Sequence, residues 1–406
     1  MIGPSRFQGP LTVVDLFSGA GGMSCGFARR RGFSVVGAVD IEHGKPSTGA
    51  GATQCNGTYA ANIGIAPLAA DMATLAPADL RFWIHRTTGI DLTPGALGVL
   101  SACPPCTDFT RAKPANHAVD GARNDLVARV GDFVDAFRPR HLVMENAREF
   151  LQGAFRHHAD RLFDRLARLG YSVRAEVHLL TEMGLPQRRE RALVVASRVA
   201  QPLGLADLWS GSAPPFPQPT VRSALTALAA ARAAHIEDDM DRAPAMGADV
   251  LARLQAIPHD GGSWLDIDPA RRDLLTPAMI ARLDAGVLNS HPDAYGRMAW
   301  DRPAPTIKRE CSHVGNGRYA HPEKDRLLTV REMAFLQGFP ADYRFVGGTK
   351  NRYRQIGDAV PRLVAYQISA CIAHMEKGGT TPLAGDSALP HSAYFGSAAF
   401  SCSLAA

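Results

Sequence analysis

The stretch LTVVDLFSGAGGMSCGF, residues 11–27, decides the fold predicted for this chain. Its first seven residues form an apolar run of strand-forming side chains, which predicts a β-strand. The glycine-rich segment that follows predicts a tight turn that opens a helix. A strand, a glycine turn and a helix in this order are typical of the start of a doubly wound α/β sheet.

The turn also indicates what kind of ligand it holds. Gly19 and Gly21 match the first two glycines of the dinucleotide fingerprint G-x-G-x-x-G, but position 24 is serine, so the fingerprint does not fit. We place Asp15 at the mouth of the turn, where it would repel a pyrophosphate. S-adenosylmethionine (AdoMet), with its sulfonium and amine-bearing end, suits this acid better, and a phosphate-binding loop is the alternative.

Further acids follow predicted strands. The strand over residues 34–39 ends in Asp40, where folds of this kind bind the two ribose hydroxyls. Asp71 follows the next turn and could contact the adenine. The strand over residues 141–144 ends in Glu145. Because ligands bind at the carboxyl ends of the strands in such sheets, these acids are candidate site residues.

The segment SACPPCTDFT, residues 101–110, follows a short strand over residues 98–100 and carries the candidate nucleophile, Cys106. Two consecutive prolines hold the backbone extended, so the cysteine has a fixed position. A thiolate in a fixed position is a strong nucleophile. The polar residues 111–124 predict a mobile lid, and the helical spacing of residues 126–137 predicts a helix.

The second half of the chain differs from the first in its sequence pattern. Arginines cluster in QRRER, residues 187–191, directly before a strand over 192–197. We predict a larger lobe over residues 1–199 and a helix at about 350–376. We assign residues 200–345 to a second, smaller lobe, and residues 377–406 to a disordered tail. Within these segments we predict helices over 221–256 and 327–340, with Thr329 as an N-cap, and a strand-like piece over 302–310.

Composition limits the class of protein. The chain has 406 residues, of which 46% are hydrophobic, enough for a sizeable core in two lobes. Its formal net charge of +5 is compatible with a nucleic-acid partner. The seven cysteines have no framework spacing, which favours a reducing compartment. We find neither a signal-peptide pattern nor an apolar run of the ~20 residues that a membrane helix needs, and we therefore expect a cytoplasmic protein.

Six motifs stand in one order along most of the chain: DLFSGAGG, PPC, EN, QRRER, RPAPTI and GDAVP. In this order and number the chain resembles the C5-cytosine-specific DNA methyltransferase family. The resemblance implies an AdoMet-dependent α/β fold with a smaller target-recognition lobe. On this basis residues 1–199 would form the catalytic, AdoMet-binding domain, completed by the helix at about 350–376, and residues 200–345 the target-recognition domain and hinge. The resemblance also implies methyl transfer to C5 of a cytosine flipped out of a short duplex sequence, through a covalent cysteine adduct at C6.

The resemblance assigns roles residue by residue. Cys106 matches the nucleophile, Glu145 the acid that contacts N3 of cytosine, and Arg189 and Arg191 the arginines that hold the base and backbone. The AdoMet pocket would be lined, together with Asp15, by Phe17, Gly19, Gly21, Gly22, Asp40, Asp71, Pro105, Leu126, Asp358 and Val360. We expect no metal.

Some positions depart from the family pattern. Cys103 stands three residues before Cys106, and Thr107 replaces the usual glutamine after the nucleophile. Ala147 replaces the valine of Glu-Asn-Val. Asp358 replaces the usual asparagine of the C-terminal motif, and an aspartate can accept but not donate a hydrogen bond there. Residues 43–57 form an insertion for which the sequence suggests no role.

Other classes of function remain open at this point. Cys103 and Cys106 form a CxxC pair, which could be a redox dithiol or half of a zinc site. A tRNA cytosine-5 methyltransferase would share the fold, but the roughly hundred residues between QRRER and RPAPTI favour DNA. A non-catalytic DNA-binding homologue would not need the motif residues. We expect a monomer on double-stranded DNA in the nucleoid, either the partner of a restriction endonuclease or an orphan enzyme.

Overall fold

The computed structural model describes residues 9–42, 53–105, 125–208, 219–232, 237–287 and 293–379. Contacts divide this part of the chain into two compact units. The first contains the described residues up to 183, together with 190–208 and 359–379. The second contains residues 184–189 and 219–358. The roles assigned to the two lobes from the sequence stay predictions.

The first unit is built on a sheet whose strands are β1 (Leu11–Leu16), β2 (Phe33–Val39), β3 (Val99–Ala102), β4 (His141–Asn146), β5 (Ser172–Leu179) and β6 (Glu190–Ser197). The spatial order is β2-β1-β3-β4-β6-β5. The neighbours from β2 to β4 are parallel, and β6 runs antiparallel to both β4 and β5. An isolated parallel bridge between Val39 and Leu68 extends the outer edge of β2.

The helices of the described residues are numbered along the chain. They are α1 (Gly22–Ala28), α2 (Cys55–Ile63), α3 (Pro77–Thr88), α4 (Leu126–Phe137), α5 (Glu149–Gln152), α6 (His157–Arg168), α7 (Leu205–Leu208), α8 (Val221–Arg232), α9 (Ala248–Gln255), α10 (Pro277–Asp284), α11 (Val330–Leu336), α12 (Thr349–Asp358) and α13 (Arg362–Glu376). The second unit contains α8 to α12, and α13 returns to the first unit.

The core of the first unit explains why these segments fold as they do. Every residue of β3 and β4 is buried, which fits the continuous apolar runs expected of parallel strands covered on both faces. One face of this sheet packs against α4 and α6, whose apolar stripes include Phe133 and Leu166. The C-terminal helix α13 packs closely on α1, because Gly26 has no side chain to keep the two backbones apart.

The second unit has no named strand among its described residues, and side chains take over part of the hydrogen bonding. Arg297 is fully buried, and its guanidinium donates to the carbonyls of Leu254 and Ile257. It also donates to the carbonyls of His321 and Lys324. One arginine therefore joins segments that are far apart in the sequence.

Most predicted elements are confirmed. The strands predicted over residues 11–17, 34–39, 98–100, 141–144 and 192–197 lie within two residues of their predicted bounds, and the helix predicted over residues 126–137 has those bounds in the structure. Thr329 caps α11 as predicted. Among the described residues, none of the helices has the length and apolar character needed to cross a membrane.

Three predicted elements are wrong in detail. The helix expected at about 350–376 is two helices that belong to different units, because Pro361 between them cannot continue α12. The helical run expected over 221–256 is divided into α8 and α9. The strand-like piece at 302–310 contributes only an isolated bridge between Ala304 and Gln187. Most of the predicted tail, residues 380–406, lies outside the described residues.

Candidate active site

The glycine turn after β1 is held in an uncommon backbone conformation. Phe17 has a φ of 59°, a left-handed value that costs energy for a non-glycine residue and is found preferentially at functional sites. Gly19 and Gly21, with φ values of 50° and 87°, adopt the same region without that cost. Gly22 is buried at the start of α1. The turn therefore has a defined shape.

Asp40 fastens this turn to the tip of β2. Its Oδ2 accepts a hydrogen bond of 2.9 Å from the backbone N–H of Gly19, and its Oδ1 accepts one of 2.8 Å from Glu42. The Asp40 side chain is partly exposed. The structure thus brings Asp40, the residue predicted to bind the ribose, directly against the predicted cofactor turn.

Asp15 does not lie at the mouth of the turn, contrary to the premise of the sequence argument. It is 1% exposed and accepts hydrogen bonds from Ser24 Oγ, at 2.6 Å, and from Ser101 Oγ. Tyr59 donates in turn to Ser24 Oγ at 2.6 Å. Burial raises the pKa of Asp15 to about 6. The carboxylate therefore lies within the core, where it connects β1, α1 and β3.

The turn that carries Asp71, the residue predicted to contact the adenine, follows the bridge to β2. Asp71 is exposed, and its Oδ1 accepts from the N–H of Ala73 at 2.9 Å. Arg129 on α4 holds the turn by donating to the carbonyls of Met72 and Leu75, at 3.0 and 2.6 Å. Leu126, at the start of the same helix, is partly buried.

The predicted nucleophile, Cys106, lies outside the described residues, as does the predicted lid at 111–124. The chain leading to it is described as far as Pro105, which is exposed. Asn146, at the end of β4, donates from Nδ2 to the carbonyl of Pro104 at 3.3 Å. The backbone is therefore held two residues before Cys106. Cys103 is partly buried and forms no disulfide with another described cysteine.

Glu145 and Arg191 come together through the register of the sheet. Glu145 pairs with Leu193 across β4 and β6, so Arg191, two residues before Leu193, emerges on the same face as Glu145. Arg191 Nε lies 2.8 Å from Glu145 Oε1, and the two side chains are 16% and 10% exposed. This contact is an ion pair without hydrogen-bond alignment, and no donor in the described ranges is aligned with that buried oxygen. Oε1 is thus an enclosed acceptor whose charge Arg191 balances.

The other predicted site residues have different surroundings. Arg189 belongs to the second unit, is 4% exposed and donates from Nη1 to the carbonyl of Ile307 at 3.0 Å. Asp358, in the same unit, forms an ion pair of 3.0 Å with Arg309. Val360 is buried in the first unit. The roles of these residues in the site stay predictions.

Sequence reasoning missed Ser18 and the clamp that Asn146 forms. Ser18 is 7% exposed, and its Oγ is buried without a partner among the described residues. A buried hydroxyl without a partner is costly, so it marks a place where a ligand could bind. The serine of DLFSGAGG and the asparagine of EN were both visible as motif residues, but their contacts depend on the tertiary structure.

Comparison with known proteins places this chain in a family. The model of the C-5 cytosine-specific DNA methylase family matches residues 11–374. The chain belongs to this family. The activity that the family's description names is methylation of DNA cytosine at C5. Members similar to this chain include the type II methylase M.HgiDII of Herpetosiphon aurantiacus, which is 29% identical over 90% of this chain and 96% of its own length.

A second relative in the family, the type II methyltransferase M1.HphI of Haemophilus parahaemolyticus, is also 29% identical, over 90% of this chain and 87% of its own. A solved structure of a putative DNA modification methyltransferase encoded within an Escherichia coli prophage has a similar fold, with a TM-score of 0.58 at 20% identity. That similarity covers 91% of this chain and 99% of the other. The family match and the similar solved structure confirm the predicted methyltransferase fold.

Proposed function

We propose that this DNA methylase transfers a methyl group from AdoMet to C5 of a cytosine flipped out of a short duplex sequence. The observation that carries the proposal is the buried Glu145 Oε1, which is charge-compensated by Arg191 but has no aligned donor in the described part of the chain. A carboxylate oxygen in this state suits a contact with the polar edge of a base.

AdoMet fits the residues around the glycine turn. Asp40 offers a carboxylate for ribose hydroxyls, and the Ser18 hydroxyl can satisfy its hydrogen bonding on a polar ligand group. Asp71, which is exposed, is proposed to contact the adenine. Phe17, Gly19, Gly21 and Gly22 shape the turn, and Pro105, Leu126, Asp358 and Val360 complete the proposed set. When bound, AdoMet supplies an electrophilic methyl group. Asp15 acts from beneath the turn by holding β1 and β3 together.

The chain's own residues carry out the steps on the base. The Cys106 thiolate adds to C6 and forms an S–C6 bond, while Glu145 in its protonated form donates its proton to N3, which takes up the displaced electron pair. C5 then becomes nucleophilic and accepts the methyl group. The N3 proton returns to Glu145, and loss of the C5 proton to a base restores the C5–C6 double bond and expels the thiolate. Arg191 fixes the orientation of Glu145, and Arg189 is proposed to support the base.

The second unit is proposed to read the target sequence, because it contains most of the residues assigned to recognition. We propose double-stranded DNA as the partner, a monomeric enzyme, and a cytoplasmic location at the nucleoid. We propose that the protein is either the partner of a restriction endonuclease or an orphan enzyme, since its relatives include type II methylases.

Bisulfite sequencing of plasmid DNA and of cellular tRNA, from cells that express the protein, tests this function. We expect methylated cytosines in one short DNA context. Glu145→Gln should lower the turnover rate by roughly 10²- to 10⁴-fold, because it removes a general acid–base group, while the affinity for S-adenosylhomocysteine stays within about twofold. Unmodified DNA from a soluble, folded protein would refute the proposal, and methylation confined to tRNA would favour the RNA enzyme.

A further inference from the structure

The C-terminal part of the insertion at residues 43–57 contacts Asp40, the residue that we propose binds the ribose. The carbonyl of Glu42, before the insertion, accepts from the N–H of Thr53 at 2.9 Å. The carboxylate of Glu42 accepts from the N–H of Asn56, in the first turn of α2, at 2.8 Å. The described segment at 53–56 is therefore fastened to the chain that follows Asp40.

Two side chains of this segment contact Asp40. Asn56 Nδ2 donates to the Asp40 carbonyl at 3.3 Å. Cys55 is 5% exposed, and its Sγ lies 3.4 Å from Asp40 Oδ1. Both contacts join the C-terminal part of the insertion to the same residue.

The thiol proton of Cys55 is directed to the Asp40 carboxylate. Thr53 Oγ1 has two acceptors for its one proton, the sulfur at 3.1 Å and the Glu42 carbonyl at 3.4 Å. The sulfur contact is the shorter one, and it leaves the thiol's own proton to an acceptor elsewhere. The alternative acceptor, Asn56 Oδ1, is neutral and lies at 3.9 Å, whereas Asp40 Oδ1 is charged and nearer. Burial and the Asp40 charge raise the pKa of the Cys55 thiol far above its usual range, so it remains a protonated donor.

Counting donors shows what this contact does to the carboxylate. A carboxylate offers about four lone-pair positions, two on each oxygen. Glu42 N–H and the Cys55 thiol occupy those of Oδ1, while Gly19 N–H is the donor to Oδ2 within the described residues. One acceptor position, on Oδ2, is thus left for a ligand hydroxyl.

We propose that Cys55 is a positioning residue that fixes the Asp40 carboxylate so that Oδ2 is presented to a ribose hydroxyl of the cofactor. This inference rests on the proposed function, in which Asp40 binds the ribose. Without the thiol donor the carboxylate can rotate and Oδ1 loses one of its two partners. Cys55 is a hydrogen-bond donor in this role and takes no part in thiol chemistry.

The test measures the binding of two probes by isothermal titration calorimetry: S-adenosylhomocysteine and its analogue that lacks both ribose hydroxyls. Cys55→Ala should weaken binding of S-adenosylhomocysteine about fivefold, the order expected for one weak hydrogen bond to a charged group. It should leave the affinity for the dideoxy analogue within about twofold. Cys55→Ser, which keeps a donor, should bind both probes like the unchanged protein.

The same measurements separate the possible failures. If Cys55→Ala weakens both probes equally, or neither, the positioning role is overturned. Asp40→Ala should abolish discrimination between the probes, and adding Cys55→Ala to it should have no further effect. If Asp40→Ala binds S-adenosylhomocysteine as tightly as the unchanged protein, the proposed ribose contact of Asp40 itself is wrong, and the inference about Cys55 fails with it.

Discussion

Replacing Gly26 by alanine should push apart α1 and α13, which pack against each other in the first unit. A Cβ at this position would lie 2.4 Å from the Cβ of Ala365 and 2.5 Å from the backbone nitrogen of Tyr366, whereas ordinary contacts exceed 3.4 Å. The neighbour is backbone and cannot rotate away, so α1 and α13 must move apart by about 1 Å. Overpacking of this kind costs up to about 3 kcal/mol, and the better helix propensity of alanine returns about 1 kcal/mol.

The expected net loss in the free energy of unfolding is therefore about 2 kcal/mol. For a unit of this size it corresponds to a fall in melting temperature of about 4 to 8 °C, measured by circular dichroism. Since α1 begins at the glycine turn, the affinity for S-adenosylhomocysteine should fall as well.

Gly131→Ala is the matched control. Gly131 is also a buried glycine inside a helix, but a Cβ there would meet the guanidinium of Arg165, at 2.6 Å, which is the end of a flexible side chain. Arg165 can give way at the cost of partly exposed ion pairs, worth about 0–1 kcal/mol each, so the net change should be near zero. Equal melting temperatures for the two variants would refute the view that Gly26 sets the spacing of α1 and α13.

Substitutions at three further positions test the electrostatics and capping of the fold by urea unfolding. Since burial raises the pKa of Asp15 to about 6, the native state binds the Asp15 proton more tightly than the unfolded chain does. The free energy of unfolding, compared with that of Asp15→Asn, should therefore fall by about 3 kcal/mol as the pH rises from about 4 to 6. Burial opposes ionisation of Glu376, but hydrogen bonds from His141 and Arg140 lower its pKa to about 2. Glu376→Gln should therefore lower the free energy of unfolding by about 3 kcal/mol at neutral pH. This difference between the two proteins should disappear as the pH falls from about 4.5 toward 2. Thr329→Ala removes the capping box of α11 and should cost about 1 kcal/mol, whereas Thr329→Ser should cost much less, and equal losses would exclude the hydroxyl as the cause.

The sequence by itself determined the order of the elements and the family. Local patterns suffice for these features, because an apolar run, a glycine turn and a capped helix each follow from residues close together in the chain. The pairing of Glu145 with Arg191 was also within reach once both were assigned to motifs, although their contact depends on the register of β4 and β6.

Only the tertiary structure decided where each acid lies. Asp15 and Asp40 both follow apolar runs near the same turn, yet Asp15 is enclosed by Ser24 and Ser101 from other elements, while Asp40 remains partly exposed. Burial, hydrogen bonding and pKa depend on residues brought together from distant parts of the chain, and no local pattern encodes them. The same holds for Cys55, whose thiol meets Asp40 only because the two sides of the insertion close on each other.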